Sequence, residues 1–269
     1  MLNLDEEYQE NKSGFDEINS NIEKMGMYSV TSPQKPEIKE EKLSNKTRLI
    51  MFLCGFSYFG FLILQIFWGI VFENFIEDEL TFNVATISAL YFSLFGIMMF
   101  IAIKNKDYFK NKIKDPTKYL YGLIYGIATI GIEIAVSYLI TTLFPTETNA
   151  NQATVIEFAS NYPTLMFFVI VLIGPLCEEL TYRVGLYELI KDVSKNNDIL
   201  AIILSSLVFA FIHISFTETT VAAELASFPI YLTIGVCFTF AYKKFGLPCS
   251  YICHVLINLL SFWSIVAQL

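Results

Sequence analysis

The sequence predicts an all-α polytopic membrane protein, a bundle of about seven to eight transmembrane helices with a polar site inside it. Of its 269 residues, 54% are hydrophobic and only 16% are charged, and the mean hydropathy is +0.52. The apolar residues form continuous runs close to the roughly 20 residues that a helix needs to cross a bilayer. A membrane β-barrel would show short alternating segments separated by turns, and the chain has none.

Six apolar runs have the length of membrane helices, and a seventh run is apolar only in its first half. The six lie at 49–72, 84–103, 119–144, 199–216, 228–242 and 250–269. The seventh extends from 164 to about 190, and a break at Gly174 and Pro175 would make an eighth helix of it. We therefore expect one group of membrane helices at 49–144 and a second group, which contains the polar motifs, at 145–269.

The first 48 residues differ in kind from the rest, because they are polar and rich in Glu, Asn, Ser and Lys. They contain too little apolar surface to offset the entropy cost of ordering, so we expect a disordered polar tail. They lack the apolar stretch behind a basic start that marks a cleavable signal peptide. The first membrane helix is therefore predicted to act as an uncleaved anchor.

The lysines and arginines predict how the chain crosses the membrane. Loops 73–83, 145–163 and 217–227 contain no Lys or Arg, whereas the tail and the intervening loops hold many. Short loops rich in positive charge stay on the cytoplasmic side. We expect a multi-pass protein of the cell membrane with a cytoplasmic N-terminus and, for seven helices, an external C-terminus. The net charge of −8 offers no basic surface for nucleic acid, so no nucleic-acid partner is expected.

The five cysteines are odd in number and lie within or beside apolar segments. This pattern argues against a disulfide framework. Cys177 adjoins Glu178 and Cys253 adjoins His254, but neighbours on a helix point about 100° apart. We therefore expect these thiols to serve in packing.

Three short motifs bring ionisable and amide groups into apolar stretches. The first is Glu178-Glu179-Leu-Thr-Tyr-Arg183. The other two contain the only histidines of the chain, as Phe209-Ala-Phe-Ile-His213 and His254-Val-Leu-Ile-Asn258. Ionisable groups at bilayer depth are costly, and their default interpretation is a functional site.

The residue types in these motifs suit the hydrolysis of an amide. Glu179 and Arg183 are spaced i, i+4 and can pair on one helix face, which leaves Glu178 free to act as a base. His213 and His254 can orient the attacking water or share its proton. Asn258 can donate to a developing oxyanion.

Structural roles are the alternative for each motif. A membrane histidine often bonds a backbone carbonyl, and Glu179 with Arg183 is favoured as a structural ion pair. Phe209 is expected to shape the site by packing. Glu133, in the middle of another apolar run, is interpreted as a polar contact within the bundle or as part of a pathway.

The order of the three motifs resembles that of the CAAX-processing and bacteriocin-processing (CPBP, or Abi) intramembrane proteases, which include the type II CAAX prenyl endopeptidases. The resemblance covers about 164–262, with supporting positions at Gly235, Tyr242 and Leu247. It implies that 145–269 is a catalytic core in which Glu178 activates water and Glu179 and Arg183 support it. It also implies that His213 and His254 complete the centre and that Asn258 stabilises the oxyanion.

The resemblance leaves two mechanisms open. We favour a glutamate-activated water with no cofactor. The alternative is a divalent metal such as zinc, held by Glu178, His213 and His254, since one Glu with two His is a known zinc ligand set.

Three classes of function are consistent with the sequence. The first is an endopeptidase that cleaves a peptide or a membrane-associated protein. The second is an immunity or regulatory protein of the same family that acts by binding a partner. The third is a proton-coupled transporter that uses Glu133, Glu178 and the histidines, although the internal repeats common in transporters are absent. A chain that is poor in Arg and rich in Lys and Asn is typical of a bacterial protein.

Overall fold

The computed structural model describes residues 4–24, 42–145, 148–215 and 221–268, and within these residues it contains helices and no strands. The chain divides into two compact units, residues 1–41 and 42–269. The first unit contains helix α1, Leu4–Lys24. Part of the segment predicted to be disordered is therefore helical, and Lys24 in the last turn complements the negative end of the helix dipole. Residues 25–41 lie outside the described part of the chain.

The second unit contains ten further helices in its described residues. They are α2 (Asn45–Gly55), α3 (Gly60–Phe72), α4 (Glu79–Lys104), α5 (Lys106–Ile113), α6 (Thr117–Leu143), α7 (Ala150–Asn161), α8 (Pro163–Val193), α9 (Asp198–Phe211), α10 (Val221–Phe245) and α11 (Leu247–Val266). The boundary predicted at residue 48 therefore falls inside α2. Asp78, Asn149 and Asn197 cap α4, α7 and α9, since each side chain accepts a backbone N–H of the first turn.

The all-α membrane fold is confirmed, but fewer helices than predicted are long enough to cross a bilayer. Among the described residues, α4, α6, α8, α10 and α11 qualify, and the pair α2 and α3 makes a sixth span if it is counted as one. α9 has only 14 residues, which gives a length of about 21 Å against a bilayer core of about 30 Å. The predicted break at Gly174 and Pro175 does not occur, because α8 continues through both residues.

The first span bends by 43° between α2 and α3. Gly60 begins α3 directly against the end of α2, and a Cβ at this position would overlap the Cys54 carbonyl oxygen. The bend therefore requires glycine at residue 60.

α6 and α11 pack closely through small residues. A Cβ built on Gly122 would lie 2.6 Å from Ile252 Cβ, and one built on Gly126 would lie 2.6 Å from Leu256 Cδ1. Such close approach of helix backbones is typical of membrane interfaces, where van der Waals packing replaces the hydrophobic driving force. Because the contacts advance in the same direction on both helices, α6 and α11 run parallel.

A buried ion pair fixes α2 against the end of α8. The Arg48 guanidinium contacts the Asp192 carboxylate and lies 3.6 Å from the Glu188 carboxylate. Tyr242 of α10 donates to the same Glu188 carboxylate at 3.0 Å. These contacts bring three helices together at one end of the bundle. All five cysteines are free thiols in the structure.

Candidate active site

α8 carries the paired carboxylates between two segments of wider helix. Phe167–Ile173 and Leu180–Tyr187 are π-helical, and Gly174–Glu179 between them is α-helical. Such π-helical turns are rare and concentrate at functional sites. Their position places Glu178 and Glu179 near the middle of the longest helix of the bundle.

Glu179 is fully buried, with one oxygen in a hydrogen bond and the other in an ion pair. Its Oε1 lies 3.0 Å from His254 Nδ1, and its Oε2 lies 3.4 Å from Arg183 Nε. The i, i+4 ion pair that the spacing predicts is therefore present. A carboxylate in this position holds the His254 ring in one orientation, as the aspartate does in a catalytic triad.

Arg183 is enclosed by aromatic side chains and a carbonyl. Its Nη2 donates to the Gly235 carbonyl oxygen at 3.3 Å. Its guanidinium carbon lies 4.5 Å from the ring centroid of Phe209 and 5.5 Å from that of Phe238. Phe209 thus does pack at the site, and Gly235, which the resemblance marked as supporting, contacts the guanidinium directly.

Glu178 points in a different direction, into a cavity of about 430 Å³. Its side chain is 19% exposed, and its Oε2 lies 3.8 Å from His254 Nε2. This distance exceeds a direct hydrogen bond, and Oε2 has no hydrogen-bond partner among the described residues. Tyr91 of α4 lines the same cavity and interacts with the Glu178 carboxylate. The two neighbouring glutamates therefore differ in access and in partners.

His213 reaches the level of Glu178 because α8 and α9 form an antiparallel hairpin. Glu178 lies 15 residues before Val193, at the end of α8, and His213 lies 15 residues after Asp198, at the start of α9. At about 1.5 Å per residue, both residues are roughly 22 Å from the connecting turn. Residues equally distant from the turn of a hairpin meet side by side, so His213 and Glu178 line one cavity.

The same rule places His254 within the site. Phe238 precedes Gly246 by eight residues and His254 follows it by eight, across the turn between α10 and α11. Their rings stack with centroids 4.3 Å apart. Gly246 has φ = 82°, a left-handed conformation that favours glycine, which allows this sharp turn.

The side chain of His213 terminates helix α9. Its Nδ1 lies 2.7 Å from the Phe209 carbonyl oxygen, which would accept the His213 backbone N–H if the helix continued. That backbone N–H bonds Ala210 instead, at 3.2 Å. Only an N–H can donate to a carbonyl, so the neutral ring carries its proton on Nδ1 and offers Nε2 as an acceptor. The ring also stacks on Tyr231, with centroids 4.7 Å apart.

Asn258 lines the cavity one helical turn beyond His254. Its Nδ2 donates to the Ile170 carbonyl oxygen at 2.9 Å, within the first π-helical segment. The amide nitrogen has a second hydrogen, which this bond does not use. The structure therefore brings Glu178, His213, His254 and Asn258 to one cavity and places Glu179 and Arg183 behind them.

The metal alternative does not fit the described residues. They contain no group of three His, Cys, Asp or Glu side chains arranged to hold a metal ion. Glu178, His213 and His254, the ligands that a metal would have required, therefore do not form such a group.

Several residues around the site were not predicted from the sequence. Tyr91, Tyr231 and Phe238 contact Glu178, His213 and His254 respectively. All three are aromatic residues inside apolar runs, so nothing in the local pattern separates them from residues of the bundle core. Tyr242 was marked by the resemblance, and its contact with Glu188 lies at the basic end of the bundle.

Comparison with known proteins identifies the family. A family model described as type II CAAX prenyl endopeptidase Rce1-like matches residues 160–260. The membrane-embedded CAAX protease MroQ of Staphylococcus aureus (strain USA300) is 30% identical, over 74% of this chain and 81% of that relative. This relative is bacterial, in agreement with the composition. No solved structure matches the chain. With the motifs, the helical bundle and the shared cavity, these similarities show that the chain belongs to the Rce1-like family of type II CAAX prenyl endopeptidases.

Proposed function

We propose that the chain is an intramembrane endopeptidase that hydrolyses peptide bonds of a membrane-associated protein or peptide, with Glu178 as the base that activates water. Membership of a protease family implies a peptide or protein substrate in a membrane. The observation that carries the proposal is the difference between the two glutamates. Glu179 is fully buried, hydrogen-bonded to His254 and paired with Arg183, whereas the Glu178 side chain is 19% exposed and lines the cavity.

The attacking water would be held between Glu178 and the histidines. A gap of 3.8 Å between Glu178 Oε2 and His254 Nε2 is too long for a direct bond and is suited to a bridging water. Glu178 removes one proton as the water oxygen bonds to the substrate carbonyl carbon. A general base in this role typically contributes about 10² to 10⁴ in rate.

The remaining residues would stabilise the tetrahedral intermediate that this attack forms. The carbonyl oxygen becomes an oxyanion, to which the second Asn258 amide hydrogen donates. The carbon–nitrogen bond then breaks, and the proton held by Glu178 moves to the departing nitrogen. Glu179 keeps the His254 ring in place throughout, and Arg183 balances the charge of Glu179.

The proposed orientation, with a cytoplasmic N-terminus, is supported by where the lysines meet. Five lysines from three separate connections, Lys112, Lys118, Lys191, Lys243 and Lys244, line one further cavity of about 300 Å³. Loops that are distant in sequence therefore present their positive charge at the same end of the bundle. The positive-inside rule assigns this end to the cytoplasm.

The proposal is tested by measuring peptide cleavage with the purified chain in lipid nanodiscs. Glu178→Gln and His254→Ala are each expected to lower turnover at least about 100-fold, because each removes a group that contacts the proposed water. Glu157→Gln on the exposed face of α7 is the matched control and should retain full turnover. Full activity of both site variants would exclude this mechanism.

A further inference from the structure

Glu133 is a membrane carboxylate that the proposed reaction does not use. It lies on α6, is partly buried and lines the same cavity as Glu178. No hydrogen bond or ion pair joins it to another residue in the described part of the chain. Since ionisable residues at bilayer depth are costly, this position calls for a functional explanation.

The helix packing gives the distance of Glu133 from the reaction centre. α6 and α11 run parallel, with Gly122 facing Ile252 and Gly126 facing Leu256. Thr129 of α6 also contacts Cys253 of α11, at 3.4 Å. Continued along both helices, these contacts set Glu133 opposite residues 257–263, about three to nine residues beyond His254. At about 1.5 Å per residue, Glu133 is therefore roughly 5 to 13 Å farther along the bundle.

The neighbours of Glu133 agree with this position. α10 runs antiparallel to α6, and Tyr121 stacks on Phe245 with centroids 4.1 Å apart. The same register sets Glu133 close to Tyr231, and the two side chains interact electrostatically. Tyr231 in turn stacks on His213, so a series of contacts leads from Glu133 to the residues around the proposed base.

The ionisable carboxylates of this cavity are not balanced by basic residues in its lining. Its described lining contains two carboxylates, Glu133 and Glu178, and no Lys or Arg. Arg183 is not part of the lining and is paired with Glu179. Three whole loops, 73–83, 145–163 and 217–227, also lack Lys and Arg. A low-dielectric cleft lined by one sign of charge attracts and orients ligands of the opposite sign.

We propose that Glu133 selects substrates that carry a lysine or arginine two to four residues from the bond that is cleaved. The inference rests on the proposed endopeptidase function and names its substrate class. An extended peptide advances about 3.3 Å per residue, so two to four residues span the roughly 5 to 13 Å between the levels of His254 and Glu133. The volume of about 430 Å³ lies within the usual range of sites that enclose a small ligand.

A peptide library tests the proposal without knowledge of the natural substrate. Solubilised bacterial membrane proteins are first cut after glutamate, which leaves lysines and arginines inside the peptides. The wild-type chain, Glu178→Gln, Glu133→Gln, Glu133→Lys and Glu157→Gln are each incubated in lipid nanodiscs with this library, and new peptide ends are identified by mass spectrometry. Glu157→Gln removes an exposed carboxylate outside the cavity and serves as the matched control.

The expected result is a charge preference that follows residue 133. Wild-type and Glu157→Gln cleavage sites should be enriched in Lys or Arg, two to four residues from the cut, by about tenfold or more, as expected for a desolvated charge pair. Glu133→Gln should lose this enrichment, and Glu133→Lys should replace it with enrichment in Asp or Glu. If Glu133→Gln fails to fold, wild type is compared with Glu133→Asp. This variant keeps the charge and should therefore keep the enrichment in Lys or Arg.

The outcomes separate this inference from the function beneath it. Wild-type cleavage without charge preference, or a preference that persists in Glu133→Gln, overturns the role of Glu133 and leaves the endopeptidase proposal standing. Cleavage by Glu178→Gln equal to that of the wild type, or no cleavage by any form, overturns the proposed function and this inference with it. Proton-coupled uptake that Glu133→Gln abolishes would assign Glu133 to transport and overturn the inference as well.

Discussion

Glu179→Gln is expected to destabilise the folded protein, whereas Glu178→Gln is expected to leave its stability unchanged. The Glu179 carboxylate is fully buried between His254 Nδ1, at 3.0 Å, and Arg183 Nε, at 3.4 Å. An amide in its place carries no charge, so the guanidinium would remain buried without its partner. Removal of one member of a buried ion pair typically costs about 3 to 5 kcal/mol.

We expect the lower end of that range, about 3 kcal/mol, because Arg183 keeps other contacts. Its Nη2 still donates to the Gly235 carbonyl, and the faces of Phe209 and Phe238 still cover the guanidinium. Aromatic faces can stabilise a desolvated cation by about 2 kcal/mol. By the scaling of soluble domains of similar size, a loss of about 3 kcal/mol lowers Tm by roughly 6 to 12 °C. Glu178 forms no ion pair with a Lys or Arg among the described residues and lies 3.8 Å from His254, so its substitution strands no buried guanidinium.

The measurement is thermal unfolding of the purified variants in one detergent, followed by intrinsic fluorescence. Arg183→Met, alone and combined with Glu179→Gln, completes a double-mutant cycle. The combined variant should recover most of the lost stability, since a neutral side chain of similar length leaves no buried charge. A stabilising role for the ion pair is excluded if Glu178→Gln lowers Tm as much as Glu179→Gln, or if the combined variant is as unstable as the sum of the two single changes.

Three further predictions concern packing, the oxyanion and metal dependence. Gly122→Ala should destabilise the protein by about 1 to 3 kcal/mol, since its Cβ would lie 2.6 Å from Ile252 and 3.0 Å from the Cys249 carbonyl oxygen. Gly131→Ala, with no atom within 4 Å, should instead gain up to about 1 kcal/mol; unfolding of both variants in detergent compares them. Asn258→Ala should lower kcat by about 10² to 10³ with little change in KM, measured by peptide cleavage; an unchanged kcat would remove Asn258 from the mechanism. Activity should persist after chelation with EDTA and phenanthroline, because the described residues hold no metal-ligand group; loss of activity restored by Zn²⁺ would contradict this.

The membrane fold could be predicted from hydropathy because a bilayer demands long apolar helices, but helix ends depend on individual contacts. The apolar run at 199–216 predicts a full span, yet α9 ends at Phe211. The His213 ring takes the Phe209 carbonyl that the next turn would need. Hydropathy does not register such competition between a side chain and the backbone, so it overestimates the length of this helix.

The site was predictable where partners share a helix and unpredictable where they do not. Spacing alone predicts the contact between Glu179 and Arg183, because i, i+4 neighbours share a face. The contact between Glu179 and His254 joins residues 75 positions apart and depends on how the helices pack. Arg48 was assigned to a disordered tail, although it is buried against Asp192 at the far end of α8. A single charge at the edge of an apolar run gives no sign of such a partner.

The two adjacent glutamates divide two roles that a single side chain could not fill. A carboxylate that orients His254 must be buried and paired, and a carboxylate that takes a proton from water must reach a cavity and keep a free oxygen. On an α-helix, neighbours point about 100° apart, so residues 178 and 179 face these two environments from one turn. Arg183, one turn later on the Glu179 side, then balances the buried charge and leaves the cavity acidic. The motif of two glutamates and an arginine thus separates structural support from the proposed chemistry within six residues of a single helix.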